Sequence, residues 1–284
     1  MDYTNPHALV DTAWLAENLD DPEVCAVDAT VFLPTVPRDA IAEFKQCHIP
    51  GAVFFDINAV ADRDTDLPHM LPDAETFGRE VGRLGIGNAT RVVAYDANGG
   101  TAAAARLWWT FRLFGHQRVA VLNGGLPKWQ RDGRPTETGT PNRDETRFEA
   151  TMNPAMVRNA ADLLANISSR AEQVVDARSA GRFTGADPEP RPTKKAGHIP
   201  GSLNQPVNEL MDPEAGVIRP ADEIAAAFDR AGVDRTRPIV TTCGSGVTAA
   251  FLSFGLYLIG VENAAVYDGS WAEWGNHADT PVDT

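Results

Sequence analysis

The sequence is poor in cysteine, and the three it has are scattered: Cys25, Cys47 and Cys243 form no C-x-x-C pair and are odd in number. A disulfide framework or a thiolate zinc site would need more, so no metal is assigned and a reducing compartment, the cytoplasm, is expected. Positive charge is also short, with 25 Lys and Arg against 39 Asp and Glu and a formal charge of −14. That excludes nucleic acid and anionic membranes as partners, because counterion release needs clustered cations. An anionic substrate must instead be drawn in by a local group of arginines. No apolar run is long enough to cross a bilayer. The most apolar stretch, Val247 to Val261, contains Thr248, Ser253 and Gly255 and reads as a buried helix. The opening Met1-Asp-Tyr-Thr-Asn5 lacks the basic and apolar regions of a secretory signal.

What the sequence does have is a repeat at a domain-sized period. Val24-Cys-Ala-Val-Asp28, His48-Ile-Pro-Gly51, Arg91-Val-Val-Ala-Tyr-Asp96 and Val119-Ala-Val-Leu-Asn-Gly-Gly125 run in that order through the first half. Val174-Val-Asp-Ala-Arg178, His198-Ile-Pro-Gly201, Ile239-Val-Thr-Thr-Cys243 and Ala265-Val-Tyr-Asp-Gly269 follow in the same order, about 145 to 150 residues later. Each unit closes on a tryptophan, read as Trp129 and Trp271.

Within each unit, short Val/Ile runs alternate with amphipathic segments such as Ala74–Leu84 and Ala221–Ala231, which end beside Gly85 and Gly232. Apolar runs without alternation are strands buried on both faces, as in a parallel sheet. The fold class expected is α/β, with two similar domains, each a mainly parallel sheet flanked by helices. The Gly-, Pro- and Thr-rich stretch Arg131–Arg147 marks the connection. We place a first unit at 1–134, a linker at 135–155 and a second unit at 156–284.

Cys243 lies between a strand, Ile239–Thr242, and a helix starting near Thr248. The glycines of Cys243-Gly-Ser-Gly-Val permit a sharp turn whose N–H groups, with those of the helix start, converge into a cradle for negative charge. A cysteine there has its thiolate stabilised and its reactivity raised. Cys25, inside an apolar strand, and Cys47 read as structural. Two other readings of the loop fail. Gly244-Ser-Gly246-Val-Thr-Ala249 fits a dinucleotide fingerprint, but only 40 residues follow Gly244, too few to complete such a fold. A cysteine phosphatase needs an arginine six positions after the nucleophile to clamp phosphate, and that position is Ala249.

The repeat, together with Cys243-Gly-Ser-Gly-Val-Thr248, His198-Ile-Pro-Gly201 and Asp268-Gly-Ser-Trp271, resembles the tandem sulfurtransferases of the rhodanese superfamily over nearly the whole chain. The cysteine loop looks like that of the 3-mercaptopyruvate sulfurtransferases. Thiosulfate-preferring rhodaneses are similar but usually carry basic residues after the cysteine. The resemblance implies a persulfide carried on Cys243 in a cleft between the domains. The first unit is then an inactive copy, with Asp96 at the cysteine position. It also implies substrate binding by Arg182 of Gly181-Arg-Phe183 and Arg191 of Asp187-Pro-Glu-Pro-Arg191, whose planar guanidinium groups suit a keto acid. Gly244, Gly246, Val247 and Thr248 complete the binding set.

Ser245 and His69 are implied as catalytic partners in a proton relay. Two positions depart from the pattern: Asn58 stands where some relatives have an acid, and Ala102 where some have a tyrosine. The reaction expected is transfer of sulfur from 3-mercaptopyruvate to a small thiol, cyanide or a thioredoxin-like acceptor, with pyruvate released and no cofactor. Thiosulfate as donor, or a persulfide carrier in a protein sulfur relay, are the alternatives. A monomer or weak dimer is expected. His48 and His198, in the same repeated turn, read as structural, and Trp108, Trp109, Trp271 and Trp274 as core or domain-interface packing.

Overall fold

The computed structural model describes residues 2–99, 101–141 and 143–284. Met1, Gly100 and Asn142, which fall in the opening segment, the Asp96 loop and the linker, lie outside the described residues. The first sheet contains β1 (Leu9–Val10), β2 (Val24–Asp28), β3 (Val53–Phe54), β4 (Arg91–Tyr95) and β5 (Val119–Leu122), all paired parallel in the order β1-β5-β4-β2-β3. Around it lie α1 (Thr12–Asn18), α2 (Ala40–Gln46), α3 (Ala74–Arg83), α4 (Ala102–Leu113) and α5 (Gly125–Arg131).

The second sheet repeats the design with β6 (Val157–Arg158), β7 (Gln173–Asp176), β8 (Leu203–Asn204), β11 (Ile239–Thr242) and β12 (Ala265–Tyr267), again parallel, in the order β6-β12-β11-β7-β8. Its helices are α6 (Ala160–Ser169), α7 (Ala180–Phe183), α8 (Ala221–Arg230), α9 (Val247–Leu258) and α10 (Ser270–Trp274). A small antiparallel hairpin, β9 (Met211–Asp212) with β10 (Val217–Ile218), is added between β8 and α8.

Local chemistry accounts for the ends of these elements. Asp73 caps α3 by accepting from the Thr76 N–H at 2.6 Å, and Gly85 beyond its C-terminus takes φ 73°. Asn159 and Asp162 form a reciprocal capping box on α6. The strands β2, β4, β5, β7, β11 and β12 are buried almost throughout, as parallel strands covered on both faces must be. In the repeated turn, His48 stacks on Phe44 and His198 on Phe183, each with its Nδ1 on the backbone carbonyl of the ring beneath it.

The domains meet through α4 and α9, which are apolar nearly all round and buried along most of their length. Trp108 lies against Phe254 and Tyr257, with ring centroids 4.8 and 5.1 Å apart, and the Arg112 guanidinium covers Tyr257 at 3.9 Å. Ahead of β6 the chain runs along the first domain at Thr146, which donates its N–H to Gly82, and at Phe148, which packs between Phe77 and Phe111.

The repeat can be matched residue by residue, and one pairing from sequence changes. Trp129 Nε1 donates to the Pro135 carbonyl at 2.7 Å, and Trp274 Nε1 donates to the Pro281 carbonyl at 2.9 Å. Leu126 N–H bonds the Asp96 carbonyl as Trp271 N–H bonds that of Cys243. The counterpart of Trp129 is therefore Trp274, and Trp271 matches Leu126. Two tryptophans three residues apart on α10 made the nearer one look like the mate.

Candidate active site

Cys243 follows β11 directly and is 2% exposed. Ser270 staples its loop. This residue, at φ 49°, has its Oγ accepting from the N–H groups of Cys243 at 3.2 Å and Gly246 at 3.1 Å, and donating to the Tyr267 carbonyl at 2.8 Å. The Ser270 hydroxyl stands 4.0 Å from Cys243 Sγ. Trp271 and Ala272 donate to the carbonyls of Cys243 and Gly244, each at 2.9 Å. Among the described residues, no acceptor takes the N–H groups of Gly244, Ser245, Val247 or Thr248. Those four residues line a cleft with Cys243. Gly246 is not among the lining residues, and it donates its N–H to Ser270.

The opposite walls come from both domains. Val31, Phe32, Leu33, His69, Asn98 and Ala102 are contributed by the first, and Arg182, Glu189 and Arg191 by the second. Arg182 does not stand free. Its Nη2 is 2.5 Å from Glu189 Oε2, while Oε1 of Glu189 receives Nη1 of the buried Arg178 at 2.8 Å, and Arg178 is fixed by Asp176 at 2.6 Å. Gly244 gives Arg182 room, since a Cβ there would lie 2.7 Å from its Nη2. Arg191 donates Nη1 to Ser245 Oγ at 3.3 Å and Nη2 to His69 Nε2 at 2.9 Å. Burial and the Arg182 charge push Arg191 below the usual guanidinium range, although a thiolate at Cys243 opposes this.

His69 and Ser245 are thus joined through Arg191 and not to one another. His69 has φ 62° and is 6% exposed; its ring is pushed down to about 3 by burial first, then by Arg191 and Arg106. Its Nδ1 is buried with no partner among the described residues. Asn58 is exposed and outside the cleft lining, with its N–H on Asp56, so it does not orient His69. Ala102 does line the cleft and leaves space where a tyrosine would project.

The matching loop of the first domain holds Asp96, 1% exposed, whose carboxylate receives the N–H groups of Asn98 at 3.1 Å and Ala104 at 3.3 Å. An anion built into the chain occupies the cradle there. Burial raises this carboxylate above its ordinary range, with the backbone N–H groups opposing. Cys25 is 1% exposed, and burial pushes its thiol up to about 11; Cys47 is half-buried and receives Gln130 Nε2 at 3.1 Å. Neither reaches the cleft. No helix of the described residues is long and apolar enough to cross a membrane.

Glu189, Arg178 and Ser270 were not singled out from sequence. Glu189 sits in the segment that carries Arg191, and Ser270 in Asp268-Gly-Ser-Trp271, so the sequence signal for these two is their nearness to the site motifs.

Comparison with known proteins gives two matches to the rhodanese-like domain family, over residues 11–132 and 159–277. Human 3-mercaptopyruvate sulfurtransferase is 45% identical over 272 residues, covering 94% of this chain and 91% of its own. The enzyme of that name from Escherichia coli K12 is 43% identical over 271 residues, 95% of each. Rat thiosulfate sulfurtransferase is 41% identical over 274 residues, 94% of this chain and 91% of its own. Among solved structures, SseA from Escherichia coli, a 3-mercaptopyruvate sulfotransferase with the rhodanese fold, superposes with a TM-score of 0.85. It is 41% identical and is covered over 99% of its chain and 94% of this one.

Proposed function

Because the chain belongs to the rhodanese family and is a sulfurtransferase, we propose that it moves sulfur from 3-mercaptopyruvate through a persulfide on Cys243. The observation that carries this reading is Cys243 in a cleft also lined by Arg182, Arg191 and four residues whose N–H groups have no acceptor among the described residues. The thiolate attacks the donor sulfur, and a new S–S bond forms as the donor's C–S bond breaks. The bonding pair leaves on carbon as the enolate of pyruvate, which then takes up a proton. Free N–H groups of Gly244, Ser245, Val247 and Thr248 stabilise the thiolate and then the persulfide, at no cost in reorganisation.

Arg182 and Arg191 hold the keto acid so that its sulfur lies in line with Sγ. Ser245, which accepts from Arg191, keeps its O–H available to protonate the enolate, directly or through water. His69 acts here by holding Arg191 and not by carrying the proton, since its Nε2 is already an acceptor. A small thiol, cyanide or a thioredoxin-like dithiol then removes the outer sulfur in a second displacement. The division into an inactive unit at 1–134, a connection at 135–155 and a catalytic unit at 156–284 belongs to this reading, as does a cytoplasmic setting for three unpaired cysteines.

Thiosulfate is the second donor, favoured by the 41% identity to the rat enzyme. Neutral Gly244 and Ser245 beside Cys243 weigh against so compact a dianion. Intact-mass measurement after incubation with each donor tests the reading. A gain of one sulfur atom with mercaptopyruvate, absent in Cys243→Ser, is expected. No gain with either donor would remove the persulfide.

A further inference from the structure

A buried arginine of the first domain does work that the mechanism above leaves unassigned. Arg106, on α4, is 2% exposed and does not line the cleft. Its Nη2 lies 2.6 Å from Asp268 Oδ1 and donates to the His69 carbonyl at 2.7 Å, while Nη1 reaches the Gly246 carbonyl at 3.4 Å. The second oxygen of Asp268 receives the N–H of Leu71 at 2.8 Å. One guanidinium therefore joins the last residue of the cysteine turn, the backbone of His69 and the segment that leads into Ser270.

Both segments it grips are backbone in the left-handed region, Gly246 at φ 77° and His69 at φ 62°, which an unrestrained chain leaves readily. Gly246 is also the only residue type that fits. A Cβ there would lie 2.8 Å from the Asp268 carbonyl and 2.9 Å from Arg106 Nη1. Packing alone does not call for this ion pair, because apolar residues of similar volume stabilise a buried site as well or better. The pair sets direction instead: it fixes the carbonyls, and through them the peptide N–H of Val247, a residue of the cleft lining, and the imidazole that accepts from Arg191.

We propose that Arg106 is a positioning residue for sulfur transfer, by which the domain without a nucleophile sets the geometry of the other domain's cysteine loop. This rests on Cys243 being the nucleophile. Arg106→Met removes the grip, and Arg106→Lys retains one charge with less reach. Arg112→Met is the control on the same helix, since it loosens the α4–α9 contact at Tyr257 without touching the loop. Each variant is assayed with mercaptopyruvate below its own Tm, for kcat, KM and the rate at which Cys243 gains sulfur by intact mass.

Arg106→Met is expected to lower kcat and the sulfur-gain rate by roughly 100-fold, the scale of a loop misplaced by about 1 Å, with KM little changed. Arg106→Lys should recover part of the loss, and Arg112→Met none of it should show. Should Arg106→Met not fold, Asp268→Asn keeps the acceptor for Leu71, removes the ion pair and must show the same kcat loss. Full kcat in either folded variant, or an equal loss in Arg112→Met, overturns the positioning role alone. A wild type that gains no sulfur overturns the nucleophile assignment, and this role with it.

Discussion

Arg191 Nη2 lies 2.9 Å from His69 Nε2. An arginine only donates, so the imidazole nitrogen accepts and the ring's proton sits on Nδ1. Burial, Arg191 and Arg106 together push His69 down to about 3 from 6.5. The folded protein thus refuses a proton that the unfolded chain takes up.

The sign of the consequence follows. With the folded value below the unfolded one, stability is intact above pH 6.5 and is lost as the pH falls towards 3. The slope approaches about 1.4 kcal/mol per pH unit for this one group. His69→Asn suits the left-handed backbone and cannot titrate. Thermal unfolding across that window should therefore be less steep in pH for His69→Asn than for wild type, and equal slopes would sink the assignment.

Glu189 Oε2 lies 2.5 Å from Arg182 Nη2. An anionic donor must share that guanidinium with a carboxylate that also lines the cleft. A like charge about 4 Å away costs roughly 1 kcal/mol even in water, or about fivefold in affinity. Glu189→Gln keeps the shape and removes the charge, so KM for mercaptopyruvate should fall by about that factor. A raised KM would mean that Glu189 chiefly aims Arg182.

The architecture is legible in the sequence because local patterns and fold coincide: unalternated Val/Ile runs form β4 and β11, and Gly85 and Gly232, both in the left-handed region, follow α3 and α8. Cys243, Arg182 and Arg191 stood out because their neighbours form motifs. The relations among them did not. Glu189 reads as one more surface acid in a chain with 39, and only the fold brings it against Arg178 and Arg182. Arg106 likewise sits in an apolar helix, 140 residues from the Gly246 carbonyl that it reaches. Charges acting across long sequence separations leave no local pattern.

The two glycines of the cysteine turn should fail in different ways. At Gly244 an added methyl meets the far end of a flexible side chain, Arg182 Nη2, which can move. Gly244→Ala should keep its Tm and raise KM. At Gly246, φ 77° and the Asp268 carbonyl give no such escape, so Gly246→Ala carries about 1–2 kcal/mol of backbone strain before any clash is counted. A lowered Tm by calorimetry is expected there. Were both variants to lose stability alike, the pair with Glu189 would hold Arg182 too firmly for it to yield.

Donor choice rests on the charge beside Cys243. Ser245 is 7% exposed, lines the cleft and accepts a hydrogen bond from Arg191, so a cation placed there adds positive potential where the donor's charge must lie. Thiosulfate concentrates two negative charges in a small volume, whereas mercaptopyruvate spreads a single carboxylate away from its sulfur. Added charge therefore stabilises the transition state for thiosulfate more. Ser245→Lys also removes the hydroxyl proposed to protonate the enolate, a step that thiosulfate does not need. Both effects act in one direction: kcat/KM for thiosulfate relative to mercaptopyruvate should rise, by tenfold for each roughly 1.4 kcal/mol of differential stabilisation. An unchanged ratio, with the protein folded, would show that the neutral loop does not set the preference.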